Sequence, residues 1–286
     1  MTALRLDAPA KLNLSLSVVG RRGGGLHELD GVMVLLELAD RLALLPGATG
    51  LRVDAAEDAE IPLGADNLAW RGLLAAAGTG PDLPCLSLEK RIPAAAGLGG
   101  GSSDAAAAWR LGRRWRGLDD QATDADLVSL SLIGADVPFF AAQCAAARVR
   151  GIGERVEPID APAGGTQAIL VHPPFRLSTA AVFAELRVGE WSQGSAELPE
   201  VGHNDLLPPA RRLRPELDDL FRLVLSAGGV PHLTGSGPTV FALADDSERA
   251  AAIAGRLRRA GLRVTETRLR REPASIEALS GEEEDA

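Results

Sequence analysis

The chain has 286 residues, 46% of them hydrophobic, which is enough for one large domain or two moderate ones with a real core. Its net charge of −9 argues against a nucleic-acid or anionic-membrane surface, and no run of about eighteen apolar residues marks a transmembrane helix. The first residues lack a basic start followed by an apolar run, and Cys85 and Cys144 stand far apart, so the expectation is a reduced, cytoplasmic protein with no signal peptide, zinc site or disulfide framework.

Residues 12–18 alternate with the period of a half-buried strand, which sets Lys11, Asn13, Ser15 and Ser17 on one face. Residues 20–25 read as a flexible turn, and His27 follows it in Gly25-Leu-His-Glu-Leu29. Strand-like segments run from 29 to 45. Asp66-Asn-Leu68 caps a helix that ends before Gly78. The strand-like 85–92 then leads into Pro93-Ala-Ala-Ala-Gly-Leu-Gly-Gly-Gly-Ser-Ser103 and a helix on the alanine run from Ala105.

That loop is the densest chemical signal in the chain. Gly97, Gly99, Gly100 and Gly101 let the backbone turn at positive φ and approach a ligand, so that successive N–H groups converge on an anion. Ser102, Ser103 and Asp104 suit the cap of the following helix, whose N-terminal dipole adds to the attraction. Phosphate binding is the expected use. The loop is neither a Walker sequence nor the dinucleotide fingerprint.

Of thirty basic residues only Lys11 and Lys90 are lysine. In so arginine-rich a chain a retained lysine points to a place that needs a compact point charge. Lys11 lies in an early motif and Lys90 just before the glycine loop.

Further on, 127–132 reads as a short helix, Gly134-Ala-Asp-Val-Pro138 places Asp136 among small and apolar residues, and 145–149 is a strand. The second unit is expected from residue 151, after a first of 1–150. It holds a strand at 168–171, a helix from Ser178-Thr179 to Leu186, and a helical region opened by Asn204-Asp205 and broken at Pro208-Pro209. A second glycine-rich loop, Leu233-Thr-Gly-Ser-Gly-Pro238, precedes a strand at 240–243, a helix at 247–260 and a last strand at 262–269. This order suggests an α+β sandwich over 151–272, with residues 273–286 as an acidic tail too polar to fold.

In Pro9-Ala-Lys-Leu-Asn-Leu14, Gly25-Leu-His-Glu-Leu29, Asp66-Asn-Leu68, the run from Pro93 to Ala106, Gly134-Ala-Asp-Val-Pro138 and Leu233-Thr-Gly-Ser-Gly-Pro-Thr-Val240, the chain resembles the GHMP kinase superfamily. The lysine and histidine motifs resemble one branch of it. That branch transfers the γ-phosphoryl group of ATP to the 2-hydroxyl of the methylerythritol unit of a cytidine diphosphate conjugate, on the non-mevalonate route to isoprenoid precursors. The resemblance implies a two-domain α+β fold, with an N-terminal domain like ribosomal protein S5 domain 2 and a ferredoxin-like C-terminal domain. It makes Asp136 the general base, Lys11 the catalytic lysine, and Asn13, Leu26 and His27 substrate-binding positions. The ATP site would be Pro93, Ala94, Ala95, Ala96, Gly97, Leu98, Gly99, Gly100, Gly101, Ser102 and Ser103, with Asn67 and Lys90. Mg2+ would bridge the phosphates, with Ser102 or Ser103 as a ligand. The family often has tyrosine where this tyrosine-free chain has Leu26, so Phe183 becomes the candidate for stacking on the base. Two other readings stay open: a kinase of the same superfamily acting on homoserine, mevalonate or a sugar, and a nucleotide-binding protein without catalysis.

Overall fold

The computed structural model describes residues 2–56, 61–80, 82–161, 165–194 and 197–279. A long hairpin organises the first half: β1 (Leu4–Arg21) pairs antiparallel with β2 (His27–Leu45). One end of β2 pairs β4 (Cys85–Glu89), which runs parallel to β3 (Gly50–Asp54). The other end pairs β5 (Ala146–Gly151), and β6 (Arg155–Pro158) follows at the edge. The second sheet has the order β10-β7-β9-β8, from β7 (Gln167–His172), β8 (His232–Leu233), β9 (Val240–Ala244) and β10 (Arg263–Arg268).

The sheets change over between Pro158 and Gln167, later than the boundary at 150 expected from the sequence, because β5 and β6 stay with the hairpin. The expected tail also needs correcting. Ala274 is buried in the first core, and β11 (Glu277–Ala278) pairs β1 at Leu4 and Arg5. A strand edge supplies backbone partners that a composition-based reading of an acidic segment ignores. Residues 280–286, with the rest of that tail, lie outside the described residues.

The helices start where local chemistry allows. α1 (Leu68–Ala77) is capped by Asn67, whose side chain accepts from Ala69 N and Trp70 N. α2 (Gly100–Trp115) buries its alanine run completely, and α3 (Asp124–Ser131) opens on a Thr123–Asp126 capping box. α4 (Val137–Ala141) follows Asp136. In the second half, α5 (Thr179–Glu185) is capped by Ser178, and α6 (Leu207–Leu213) carries Pro208 and Pro209 in its first turn. Those prolines begin the helix instead of breaking it, since first-turn N–H groups have no intrahelical acceptor to lose. α7 (Glu216–Ser226) was not expected, although its buried Leu217, Leu220, Phe221 and Val224 follow helical spacing. α8 (Ser247–Arg259) is capped by Asp246.

Leu12 and Leu14 of β1 share one core cluster with Leu170 and Phe241 of the second sheet. β1 is therefore buried on both faces, not half-buried, and its polar row is sealed in: Lys11, Asn13, Ser15 and Ser17 are all at most 5% exposed. A fully buried polar row is informative because such residues seldom go inside without a partner.

α1 and α2 touch through their backbones. A Cβ on Gly72 would collide with Ala105 O and stand 2.8 Å from Ala105 C. Gly72→Ala is expected to lower the unfolding free energy by about 1–3 kcal/mol, read from a urea melt. A parental midpoint would mean that α1 shifts at no cost.

Candidate active site

The glycine loop leaves β4, passes beside Lys11 of β1 and enters α2. Gly97 and Gly99 have φ of +77° and +71°. A Cβ on Gly97 would stand 2.7 Å from Gly237 O, and one on Gly99 would stand 3.0 Å from both Lys11 Cγ and Phe140 Cζ. These two glycines thus press the loop against the second glycine-rich loop and against Lys11, in addition to freeing its backbone.

Gly99 is the N-cap of α2 and offers no side-chain cap. Ser102, Ser103 and Asp104 lie inside the helix and do not cap it, and Asp104 accepts from Lys90 instead. The first intrahelical bond is Ser103 N to Gly99 O, at 2.9 Å. The amides of Gly100, Gly101 and Ser102 precede it, so they face the loop's open side without intrahelical acceptors. A cleft of about 510 Å³ opens there, bounded by residues 92–102, Asn67 and Thr179, with Lys90 and Asp104 also in its wall.

Lys11 reaches the same place from β1. Its backbone N–H donates to Leu98 O at 3.0 Å. Its Nζ donates to Asn13 Oδ1 and lies 3.4 Å from Asp136 Oδ2. The Asp136 side chain is 30% exposed, so this carboxylate meets the open side of the pair. Asp136 is held by its neighbours: Gly153 packs against Ala135 O, and a Cβ on Gly134 would stand 3.3 Å from Ser102 Oγ. That contact sets the Ser102 hydroxyl beside the Asp136 turn. Ser103 Oγ is buried without a partner and lines a small pocket against Leu6, Pro9 and Leu35.

Asn67 lines the cleft, but its side chain is committed to the α1 amides and to Pro62 O at 2.8 Å. Lys90 is committed as well. Its Nζ bonds Asp40 and, at 2.7 Å, Asp104 Oδ2, and its side chain is 7% exposed. Burial works against the Lys90 charge, but Asp104 and Asp40 outweigh it and hold its pKa above the ordinary lysine value. Burial pushes the Asp104 carboxyl up to about 8, with Lys90 pulling the other way.

At the far end of the hairpin, His27 stacks on Phe183 of α5 with ring centroids 5.0 Å apart, and Trp191 meets it edge-on at 5.7 Å. Burial, and then Arg21, lower the His27 pKa, favouring a neutral ring with one donor and one acceptor. Leu26 is exposed beside it. The structure thus brings His27 and Phe183 together, residues 156 positions apart by number. It leaves them at a different part of the hairpin from Lys11 and Asp136.

Asn204, Thr234 and Trp191 join the site through the fold. Asn204 donates to Leu233 O and Gly235 O, each at 2.9 Å, and bridges to Leu16. Thr234 Oγ1 accepts from Asn13 N at 3.0 Å. Both tie β1 to the second glycine-rich loop. Asn204-Asp205 read only as a helix opening, and Trp191 carried no motif. Among the described residues no group of three or more His, Cys, Asp and Glu side chains suits a metal, and no helix is long and apolar enough to cross a membrane.

Comparison with known proteins bears on this geometry. Residues 67–143 match the GHMP kinases N-terminal domain and 182–262 the GHMP kinases C-terminal domain. A 4-diphosphocytidyl-2-C-methyl-D-erythritol kinase from Pelotomaculum thermopropionicum is 38% identical over 285 residues, covering 91% of this chain and 96% of that relative. One of the same name from Dinoroseobacter shibae is 39% identical over 86% of this chain and 88% of its own length. A crystal structure of 4-(cytidine 5'-diphospho)-2C-methyl-D-erythritol kinase superposes with a TM-score of 0.76 at 34% identity, covering 92% of this chain and 98% of that one.

Proposed function

Since this chain belongs to the GHMP kinases, and among them to the 4-diphosphocytidyl-2-C-methyl-D-erythritol kinases, we propose that Lys11 and Asp136 carry its chemistry: transfer of the ATP γ-phosphoryl group to the 2-hydroxyl of the methylerythritol unit. The observation that carries the assignment is the approach of Lys11 Nζ to Asp136 Oδ2, 3.4 Å apart, beside the first turn of α2.

In this reading the loop amides and the start of α2 hold the polyphosphate. Asp136 accepts the proton of the acceptor hydroxyl as its oxygen attacks the γ-phosphorus and the bond to the β-phosphate oxygen breaks, releasing ADP. Lys11 meets the negative charge that develops at the attacking oxygen. Asn13 holds the ammonium from the other side. His27 offers one donor and one acceptor to the cytosine edge, and Phe183 supplies an aromatic face.

The donor set suits Mg2+, which keeps few protein ligands and takes the rest of its shell from phosphates and water. Ser102 is the residue that would hold it, because its hydroxyl lies beside the Asp136 turn while that of Ser103 is buried. Bound there, the ion would neutralise charge on the β and γ phosphates. Dependence on ATP is the reason to place the chain in the cytoplasm.

The test is ADP release with a panel of acceptors: the cytidine diphosphate conjugate, mevalonate and homoserine. The conjugate is expected to exceed the others by at least about 10⁴-fold in kcat/KM, the discrimination open to a site that hydrogen-bonds its substrate. Comparable turnover of mevalonate or homoserine would overturn the assignment of the acceptor.

A further inference from the structure

The cluster behind the glycine loop takes no part in the chemistry above. Its three members come from three elements: Asp40 from β2, Lys90 from the end of β4, and Asp104 from the start of α2. Lys90 Nζ bonds both carboxylates. The other oxygen of Asp40 accepts the backbone amides of Arg91 and Ile92, the latter at 2.7 Å, which are the residues that lead into the loop. The second oxygen of Asp104 is buried without a partner. A Cβ on Gly100 would stand 3.4 Å from Lys90 Nζ, so the ammonium sits directly under the first residue of α2.

Such a cluster is a poor device for stability, since burying an ammonium against two acidic side chains costs about as much as their attraction returns. Geometry is what it supplies. One ammonium fixes the distance between β2 and α2, while Asp40 fixes the strand exit by two more bonds. Loop amides stabilise charge only when they are held to within about 0.5 Å of the productive placement.

We propose that Asp40, Lys90 and Asp104 form a positioning cluster for the nucleotide loop, and that Lys90 acts on ATP through the placement of the first turn of α2 and not by touching a phosphate. The proposal rests on the reading of residues 97–103 as the ATP loop. It replaces the expectation that Lys90 binds ATP itself. A lysine serves here and an arginine would not, because one point charge must satisfy two converging carboxylates in a buried space.

The experiment measures ATP affinity by calorimetry, without acceptor, on the full chain and two variants. KM for ATP and for the acceptor are then measured on the same proteins. Lys90→Met leaves two acidic side chains facing each other with no cation between them. It is expected to weaken ATP binding at least about ten-fold, with KM for the acceptor within about two-fold. The triple variant Asp40→Asn/Lys90→Met/Asp104→Asn keeps the shape of all three side chains and removes every charge. It is expected to bind ATP within about three-fold of the parent. A triple variant as weak as Lys90→Met would mean that Lys90 contacts the nucleotide, and a Lys90→Met protein with parental affinity would mean that the cluster positions nothing; either result overturns the proposal. If Lys90→Met fails to fold, the triple variant decides alone: binding within about three-fold of the parent supports the proposal, and a loss of about ten-fold or more overturns it. ATP binding by the parent chain checks the loop reading separately. A parent that binds no ATP removes that reading, and this inference with it, before any variant is compared.

Discussion

Asp136→Asn is expected to bind ATP nearly as the parent does and to lose about 10²–10⁴-fold in turnover, the range supplied by a positioned general base. Asparagine matches the aspartate in size, and Asp136 makes no side-chain bond to the helix it precedes, so α4 does not depend on the carboxylate. The turn is held instead by backbone packing of Gly153 against Ala135. What the substitution removes is a proton acceptor and the ionic partner of Lys11. Folding is checked by melting temperature, ATP affinity by calorimetry, and chemistry by single-turnover phosphorylation of the cytidine diphosphate conjugate. Turnover within a few-fold of the parent would take Asp136 out of the mechanism. Loss of ATP affinity in step with turnover would make it a nucleotide ligand instead.

How far this site was readable depends on the range of each signal. Short-range signals carried well: the caps of α1 and α5, the alanine run of α2 and the glycine loop are all set by chemistry within a few residues. The two lysines were also informative, though in different ways. Each occupies a place where one compact charge meets two groups: Asn13 and Asp136 around Lys11, Asp40 and Asp104 around Lys90. Nothing local distinguishes a lysine that faces a ligand from one that faces two buried carboxylates. The partners of Lys90 lie 50 and 14 positions away, and only the fold brings them together. The same holds for Trp191 beside His27, and for the edge of β1 that receives residues 277 and 278. Pro208 and Pro209 show the opposite failure. The local signal was present and was given the wrong sign, because a proline pair starts a helix as readily as it stops one.

Lys11→Arg is expected to be nearly as damaging as Lys11→Ala, each costing about 10²-fold or more in turnover, the loss typical of one misplaced charge-stabilising donor. Both cations carry the same formal charge, so a long-range electrostatic role would tolerate arginine. The surroundings of Lys11 do not. The residue is 4% exposed, its Cγ would stand 3.0 Å from a Cβ on Gly99, and its Nζ would stand 3.5 Å from a Cβ on Gly235. A planar guanidinium is wider than this slot between two glycine-rich loops and cannot bring one donor to the point shared by Asn13 and Asp136. The rest of the chain uses arginine at 28 of its 30 basic positions, so composition gives arginine every opportunity here. The measurement is turnover of the cytidine diphosphate conjugate at saturating ATP, with melting temperature as the check on folding. Lys11→Ala/Asp136→Asn supplies the second reading. If the two side chains act as one unit, the double variant loses little more than the worse single one, because the second substitution removes a partner with nothing left to partner. Additive losses would separate the two roles, and a well-folded Lys11→Arg protein of near-parental rate would reduce Lys11 to a source of diffuse positive charge.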